Sequence, residues 1–205
     1  MNIWFATNNS HKKLELQAIL NTNLKIPAEE GYDFNPEETG HTFCDNALLK
    51  ARELKKLLKD KDDLVIADDS GLCVDALNGR PGVLSARYGD TDSQKLSNSQ
   101  KNLLLLEELG DNQKRTAHFV CAMVLLFADD RFIVVQETLE GQIISEMKGD
   151  GGFGYDPVFF IPELGRTLAE LSEEEKNNIS HRGKAGRYIR ELIKSINELA
   201  RISTN

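Results

Sequence analysis

Apolar runs and amphipathic stretches alternate along the chain, and each predicts one element of secondary structure. Residues 2–6 form an apolar run that is typical of a short buried strand. A helix to about Asn21 is predicted next, because Leu16, Ile19 and Leu20 repeat at the i, i+3, i+4 spacing of one helical face. The chain therefore opens with a strand followed by a helix.

The same spacing predicts four further helices. They cover residues 43 to about 59, residues 93–109, a short segment opened by the capping box Ser172–Glu175, and about residues 184–201. The last helix is expected to turn a continuous face to the core, made of Tyr188, Ile189, Leu192, Ile196 and Leu199. Gly110 is a typical helix stop after the second of these segments.

Several apolar runs predict strands between these helices. Residues 116–127 and 132–135 are separated by a turn signal and read as a hairpin, and Val158–Ile161 reads as a buried strand. A strand–helix start followed by hairpins indicates an α/β fold with a mixed sheet. Two lobes with a cleft between them are the expected arrangement.

The chain is organised around one stretch, Leu64–Leu72, in which β-forming apolar residues lead to Asp68, Asp69, Ser70 and Gly71. A strand that ends in this way would place polar groups at the carboxyl edge of a sheet, where open α/β folds bind ligands. Neighbouring side chains on a strand point to opposite faces, so Asp68 and Asp69 are expected to have different roles. The alternative is a solvated turn, since Asp, Ser and Gly favour turns.

The loop after the first strand is a candidate anion site. The polar residues Thr7 to Lys12 precede or open a helix, with Asn9 or Ser10 as its N-cap, and a helix N-terminus offers free N–H groups to an anion. Lys12 adds a positive charge where the helix dipole disfavours one. This lysine is either solvated by chance or positioned for an anionic ligand.

A second conspicuous loop is rich in glycine and carries two aromatic residues. Residues 149–157 read G-D-G-G-F-G-Y-D-P, so the backbone can approach a ligand closely. Phe153 and Tyr155 have little reason to lie in the core there and are candidates for stacking on a base. The alternative is a long hairpin loop with aromatic plugs.

Composition narrows the class of protein. The 205 residues carry a net charge of −8, which argues against a nucleic-acid backbone as the main partner. No apolar run approaches the ~18 residues of a membrane span, so no membrane association is expected. Cys44, Cys73 and Cys121 form no C-x-x-C pair, which indicates a reduced, cytoplasmic protein.

The polar clusters complement one another as a site for a nucleoside triphosphate with its metal. Glu38, Asp68 and Asp69 offer hard oxygen ligands that suit Mg²⁺. Donors for carbonyl oxygens are offered by Lys176, His181 and Arg182. The chain lacks the G-x-x-x-x-G-K-[ST] motif, which excludes a P-loop protein. It also lacks G-x-G-x-x-G after the first strand, which argues against a Rossmann cofactor site.

Eight motifs, in order along the chain, resemble those of the inosine/xanthosine triphosphate pyrophosphatase family, the HAM1-like dITP/XTP diphosphatases. They are F-A-T-N-N-S-H-K (5–12), E-E-T-G-x-T-F (37–43), D-N-A-x-x-K-A (45–51), A-D-D-S-G-L (67–72), R-P-G-V-x-S-A-R-Y (80–88), G-G-F-G-Y-D-P-x-F (151–159), T-x-A-E-L (167–171) and E-K-N-x-I-S-H-R (175–182). The resemblance covers residues 5 to about 187 and depends on several independent motifs.

The resemblance implies one two-lobed domain over residues 1–205, an elongated mixed sheet with an active-site cleft between the lobes, and a homodimer. It implies magnesium-dependent hydrolysis of ITP, dITP and XTP to the monophosphate and pyrophosphate, with Asp69 as general base and Glu38 and Asp69 as metal ligands. The substrate-binding residues implied are Thr7, Asn8, Asn9, Ser10, His11, Lys12 and Ser70 for the triphosphate, and Phe153, Gly154, Tyr155, Asp156, Lys176, His181 and Arg182 for the base. Asn8 departs from the family pattern, where many members carry glycine, but leaves the loop polar.

Two alternatives stay open at this point. A nucleotide-binding regulator would bind without turnover, although it would not need all three acids Glu38, Asp68 and Asp69. A related pyrophosphatase could act on modified pyrimidine nucleotides, although the S-H-R motif and the F-G-Y-D loop favour purines.

Overall fold

Six strands form one mixed sheet in a computed structural model of the protein. The structure describes the backbone of residues 2–203 and the side chains of residues 2–196 and of residue 198. The strands, in sheet order, are β1 (Ile3–Phe5), β2 (Leu64–Val74), β3 (Thr116–Leu126), β4 (Phe132–Ile143), β5 (Phe159–Ile161) and β6 (Arg166–Thr167). β1 is parallel to β2, whereas β5 is antiparallel to both β4 and β6. The predicted α/β class with a mixed sheet is confirmed.

Five α-helices accompany the sheet in the described residues. They are α1 (Ser10–Leu20), α2 (Phe43–Leu57), α3 (Asn98–Leu109), α4 (Glu173–Ile179) and α5 (His181–Ser203). Of the two candidate caps of α1, Asn9 is the N-cap, and the predicted cap Ser172 is confirmed, because each side chain accepts a backbone N–H from the first turn of its helix. α3 begins five residues later than predicted, because Ser97 and Gln100 form a capping box there.

Contact clustering divides the chain into two compact units. The first comprises Met1–Asp69, Cys121–Glu137 and Arg182–Asn205, and the second comprises Ser70–Val120 and Thr138–His181. The divisions fall inside β2 and β4, between Val120 and Cys121 in β3, and between His181 and Arg182 in α5. Long strands therefore contribute residues to both units.

In the first unit, α1 and α5 pack tightly on one side of a shared core. Leu16, Ala185 and Ile189 belong to one buried cluster, and a Cβ added at Gly186 would lie 2.8 Å from a methyl carbon of Ile19. The small residue at 186 therefore permits this close approach of the two helices. The expected core position of Tyr188 is wrong, because its ring is 58% exposed, and the side chain of Leu199 lies outside the described residues.

A second cluster of the first unit fixes α2 against the sheet. Ala47, Ala51 and Leu54 are fully buried with Val65 and Ala67 of β2. This small-residue face brings the helix close to the strand that carries the two aspartates. The polar residues of α2 on the same side can therefore reach Asp69.

In the second unit, one apolar cluster joins β2, α3 and β5. It contains Leu72, Leu105, Val158 and Phe159, all fully buried.

The strand β2 was expected to end at Asp68 and Asp69, and that prediction is wrong, since β2 continues to Val74. No helix among residues 2–203 is long and apolar enough to cross a membrane.

Candidate active site

The loop between β1 and α1 holds the predicted triphosphate-binding residues at the start of a helix. Asn9 caps α1 by accepting the Lys12 N–H at 3.2 Å, and the Thr7 hydroxyl accepts the Asn9 N–H at 3.1 Å. Asn8 donates to the carbonyl of Phe34, which ties the loop to the segment before α2. Asn8, Asn9, Ser10 and His11 are exposed. The loop thus presents polar groups and a helix N-terminus, which together favour an anion.

Asp68 is buried between two cations. Lys12 Nζ lies 3.0 Å from Asp68 Oδ1, and Arg182 donates from Nε and Nη2 to Oδ2 at 3.1 and 2.9 Å. Arg182 Nη1 lies 2.6 Å from Glu15 Oε2. Burial alone would raise the pKa of Asp68, but the charges of Lys12, Arg182 and Lys50 outweigh it and hold that pKa well below its usual range. Asp68 is therefore an anchor for cations and a poor proton acceptor.

Asp69 faces a different set of partners, in agreement with the expectation that the two aspartates have different roles. Lys50 Nζ lies 3.2 Å from Asp69 Oδ1 and 2.8 Å from Glu38 Oε1, so both carboxylates converge on one ammonium. Burial raises the pKa of Asp69, although Lys50 and Lys12 oppose it. A raised pKa makes a carboxylate a better general base near neutral pH.

The two carboxylates that accept hydrogen bonds from Lys50 are suited to bind a divalent cation. Two carboxylate oxygens already meet at one positive group, and Glu38 and Asp69 are hard oxygen ligands. Within the part of the chain that the structure describes, no group of three or more His, Cys, Asp or Glu side chains could hold a metal ion. Glu38 and Asp69 match the ligand number of Mg²⁺, which is usually bound by one or two carboxylates together with substrate phosphates and waters.

Lys50 and Asn46 are functional candidates that reasoning from the sequence missed. Both lie on the buried side of α2, four residues apart, where the other buried residues are apolar or small. The available signal was this pair of polar residues at helical spacing on a face otherwise occupied by Ala47, Ala51 and Leu54. A buried lysine or asparagine requires polar partners, so the face had to meet polar groups.

In the second unit, Asp156 organises the glycine-rich loop. Its Oδ2 accepts the Phe153 N–H at 2.8 Å and the Lys176 ammonium at 2.7 Å. Lys176 Nζ also lies 4.5 Å from the centroid of the Phe153 ring. A Cβ at Gly152, whose φ is +70°, would lie 2.1 Å from the same carboxylate oxygen, so this position requires glycine. Phe153, Asp156 and Lys176 are thus brought together as one group.

The remaining predicted residues of the second unit are mostly buried. Tyr155 was expected outside the core, and that prediction is wrong, because its ring is 5% exposed and its hydroxyl donates to the Ser85 carbonyl at 2.9 Å. His181 stacks on Phe119 with ring centroids 4.8 Å apart. Ser70 is half-buried in β2.

Gly154 has a partner that was not predicted. Its carbonyl accepts the side-chain amide of Asn102 at 3.1 Å, which ties the glycine-rich loop to α3. Asn102 is buried, and its Oδ1 is a buried acceptor without a hydrogen-bond partner among the described residues. The glycine-rich loop is therefore held from α3 by Asn102 and from within by Asp156.

These features define an α/β protein with a polar loop at a helix N-terminus, two carboxylates that converge on one lysine, and a glycine-rich loop that carries an aromatic residue. The chain belongs to the Ham1 family, whose model matches residues 3–192. It is 48% identical to the dITP/XTP pyrophosphatase of Treponema denticola over 195 residues. This alignment covers 95% of the chain and 99% of that protein.

Solved structures agree with this membership. The Ham1 protein of Staphylococcus aureus has a TM-score of 0.82 and 39% identity, and a HAM1 protein from Coxiella burnetii has a TM-score of 0.83 and 37% identity. Each comparison covers 95% of this chain and 99% of the other. The fold and the family predicted from the motifs are confirmed.

Proposed function

We propose that the protein hydrolyses the non-standard purine nucleotides ITP, dITP and XTP to the monophosphate and pyrophosphate. The observation that carries this proposal is the convergence of Glu38 and the buried Asp69 on one cation, in a chain 48% identical to a dITP/XTP pyrophosphatase. Such an activity removes deaminated purines from the nucleotide pool and keeps them out of DNA and RNA. Residues 1–205 would form one two-lobed catalytic domain.

In this proposal, Asp69 accepts the proton of a water molecule that attacks the α-phosphorus, and the P–O bond to the leaving pyrophosphate breaks. Glu38 and Asp69 would hold Mg²⁺, which neutralises phosphate charge when it is bound. The triphosphate would meet Lys12, Ser70 and the N-terminus of α1. Lys12 contributes a point charge, which suits phosphate oxygens.

The base of the nucleotide would contact the group formed by Phe153, Asp156 and Lys176, and would stack on the ring of Phe153. Lys176 can only donate hydrogen bonds, so it suits the keto oxygen at C6 of inosine and xanthosine and disfavours the amino group of adenine. Gly154, Tyr155, Asp156, His181 and Arg182 belong to the same proposed side of the substrate. Tyr155 and Asp156 would act by shaping the loop, since both are buried within it.

Arg182 is a special case among these residues. Three of its five N–H donors bond to Asp68 and Glu15, so two carboxylates hold the guanidinium in place. Lys176 is therefore the stronger candidate for reading the keto oxygen.

The location and assembly follow from the proposed activity. Nucleotide pools are cytoplasmic, so we infer a cytoplasmic enzyme. A homodimer is expected from the family resemblance, and size-exclusion chromatography with light scattering tests it. The net charge of −8 supports a small-molecule partner over nucleic acid.

Incubation with Mg²⁺ and a panel of nucleotides tests the proposal. ITP, dITP and XTP should give monophosphate and pyrophosphate far faster than ATP, GTP or modified pyrimidine nucleotides. In H₂¹⁸O, the label should appear in the monophosphate, because the water attacks the α-phosphorus. Asp69→Asn should abolish turnover, while Asp129→Asn, at an exposed carboxylate, should not.

Other outcomes separate the alternatives. Binding without turnover would indicate a regulator, and preferred cleavage of modified pyrimidine nucleotides would indicate the related class of pyrophosphatase. Label in the pyrophosphate would mean attack at the β-phosphorus and would contradict the proposed chemistry.

A further inference from the structure

A single buried amide contacts both segments that carry the acid pair. Asn46 of α2 is 0% exposed. Its Nδ2 donates to Asp69 Oδ2 at 3.2 Å, and its Oδ1 accepts the Gly40 N–H at 2.8 Å. Gly40 lies two residues after Glu38. One side chain therefore links the Glu38 segment to the strand residue Asp69.

The orientation of this amide follows from its partners. A carboxylate accepts and a backbone N–H donates, so only one of the two amide orientations satisfies both contacts. Asp69 also accepts from Lys50 through its other oxygen, at 3.2 Å. Both oxygens of Asp69 are therefore held, which fixes the rotation of its carboxylate plane.

The backbone at Gly40 is shaped to fit the amide. A Cβ added there would lie 2.6 Å from Asn46 Oδ1 and 2.7 Å from Asp45 Cβ. Any larger residue would push the Glu38 segment away from α2. A buried amide needs hydrogen-bond partners, and here both partners belong to the acid-pair segments.

We propose that Asn46 is a positioning residue for the reaction, which orients Asp69 and fixes the Glu38 segment at the distance at which both acids meet one cation. This inference depends on the proposed function. Asn46 touches neither phosphate nor base in this role and acts through Asp69 and Gly40. Removal of an outer partner of a metal-binding carboxylate typically costs about 10–100-fold in activity or metal affinity.

Two substitutions test the link from its two ends. Asn46→Leu removes both hydrogen bonds at similar volume, and Gly40→Ala forces the Glu38 segment away while Asn46 stays. Both should lower kcat for dITP about 10–100-fold, with KM and inhibition by inorganic tripolyphosphate changed less than about threefold. Asn46→Gln, which keeps the amide, should recover part of kcat. Asn112→Leu, at an exposed position after α3, is the matched control and should leave kcat unchanged.

A readout without turnover accompanies the kinetics. NMR can measure hydrogen–deuterium exchange of the Gly40 N–H. The exchange should be slow in the wild type and fast in Asn46→Leu, because the substitution removes the acceptor Oδ1 of Asn46. An unchanged exchange rate, or a folded Asn46→Leu with wild-type kcat, would overturn the inference. A rise in KM alone would also overturn it, because the amide would then serve binding. If the wild type released no pyrophosphate, the proposed function would fail, and the exchange rates would still decide the role of Asn46.

Discussion

Asp68→Asn removes a negative charge that the buried Arg182 and the partly buried Lys12 share. Asp68 is 1% exposed, and its oxygens lie 3.0 Å from Lys12 Nζ and 2.9 Å from Arg182 Nη2. An asparagine has the same shape but offers one carbonyl oxygen, and its NH₂ group would face a cation. Arg182 would keep Glu15, while Lys12 would lose its closest carboxylate.

The expected loss of stability follows from these distances. At about 3 Å and an effective dielectric constant of ~20, one such pair attracts by about 5–6 kcal/mol, before the opposing cost of desolvation. Removing one partner of a buried ion pair costs about 3–5 kcal/mol in total, because the other charge stays buried. For a chain of this length each kcal/mol lowers Tm by about 2–4 °C, so Tm should fall by about 6–20 °C.

Urea and thermal unfolding of Asp68→Asn and of Asp129→Asn test this magnitude. Asp129 pairs with Arg131 on the surface, with its side chain 54% exposed, so the same substitution there should change stability little. The pKa of Asp68 is lowered by folding, so its contribution is present above the ordinary value of 3.8 and is lost as pH falls below it. Asp68→Asn should therefore lose less stability than the wild type as the pH falls below 3.8. Equal losses in both mutants would refute the assignment of Asp68 as a buried cation anchor.

Three further predictions concern the proposed activity. Lys12→Ala should raise the KM for nucleoside triphosphates without changing the ratio of kcat/KM between dITP and dATP, because Lys12 meets phosphate; a changed ratio would contradict this placement. Phe153→Leu should raise the KM for ITP by about 5–150-fold, as expected for a lost stacking contact of ~1–3 kcal/mol, while inhibition by inorganic tripolyphosphate stays constant. Since burial raises the pKa of Asp69, the acid limb of kcat/KM for the wild type should lie above pH 3.8, with activity lost as pH falls through that pKa; a limb at or below 3.8 would argue against Asp69 as the base.

Local features of the sequence determined most of the elements and their caps. The apolar spacing of Leu16, Ile19 and Leu20 predicted α1, and Asn9 is its N-cap as expected. The capping box of Ser172 and Glu175 likewise opens α4. These signals work because helix periodicity and capping involve residues within about one turn of each other. The family motifs predicted the reaction, because each motif is a set of residue types at fixed spacing that is typical of the pyrophosphatase family.

Only the tertiary structure decided how the adjacent aspartates divide their roles. Asp68 pairs with Lys12, 56 positions away, and with Arg182, 114 positions away. Asp69 instead pairs with Lys50 and Asn46 of α2. No local pattern distinguishes two neighbouring carboxylates, because the pKa of each depends on burial and on charges that arrive from distant segments.

The same reason explains the residues that were misplaced or missed. Tyr155 stands in a glycine-rich stretch that reads as an exposed loop, yet its ring enters the core and its hydroxyl reaches Ser85, 70 positions away. Asn46 and Lys50 look like ordinary polar positions of an amphipathic helix until β2 brings Asp69 against them. Periodicity gives the face on which a side chain lies, whereas the packing of helix on strand determines which charge it meets there.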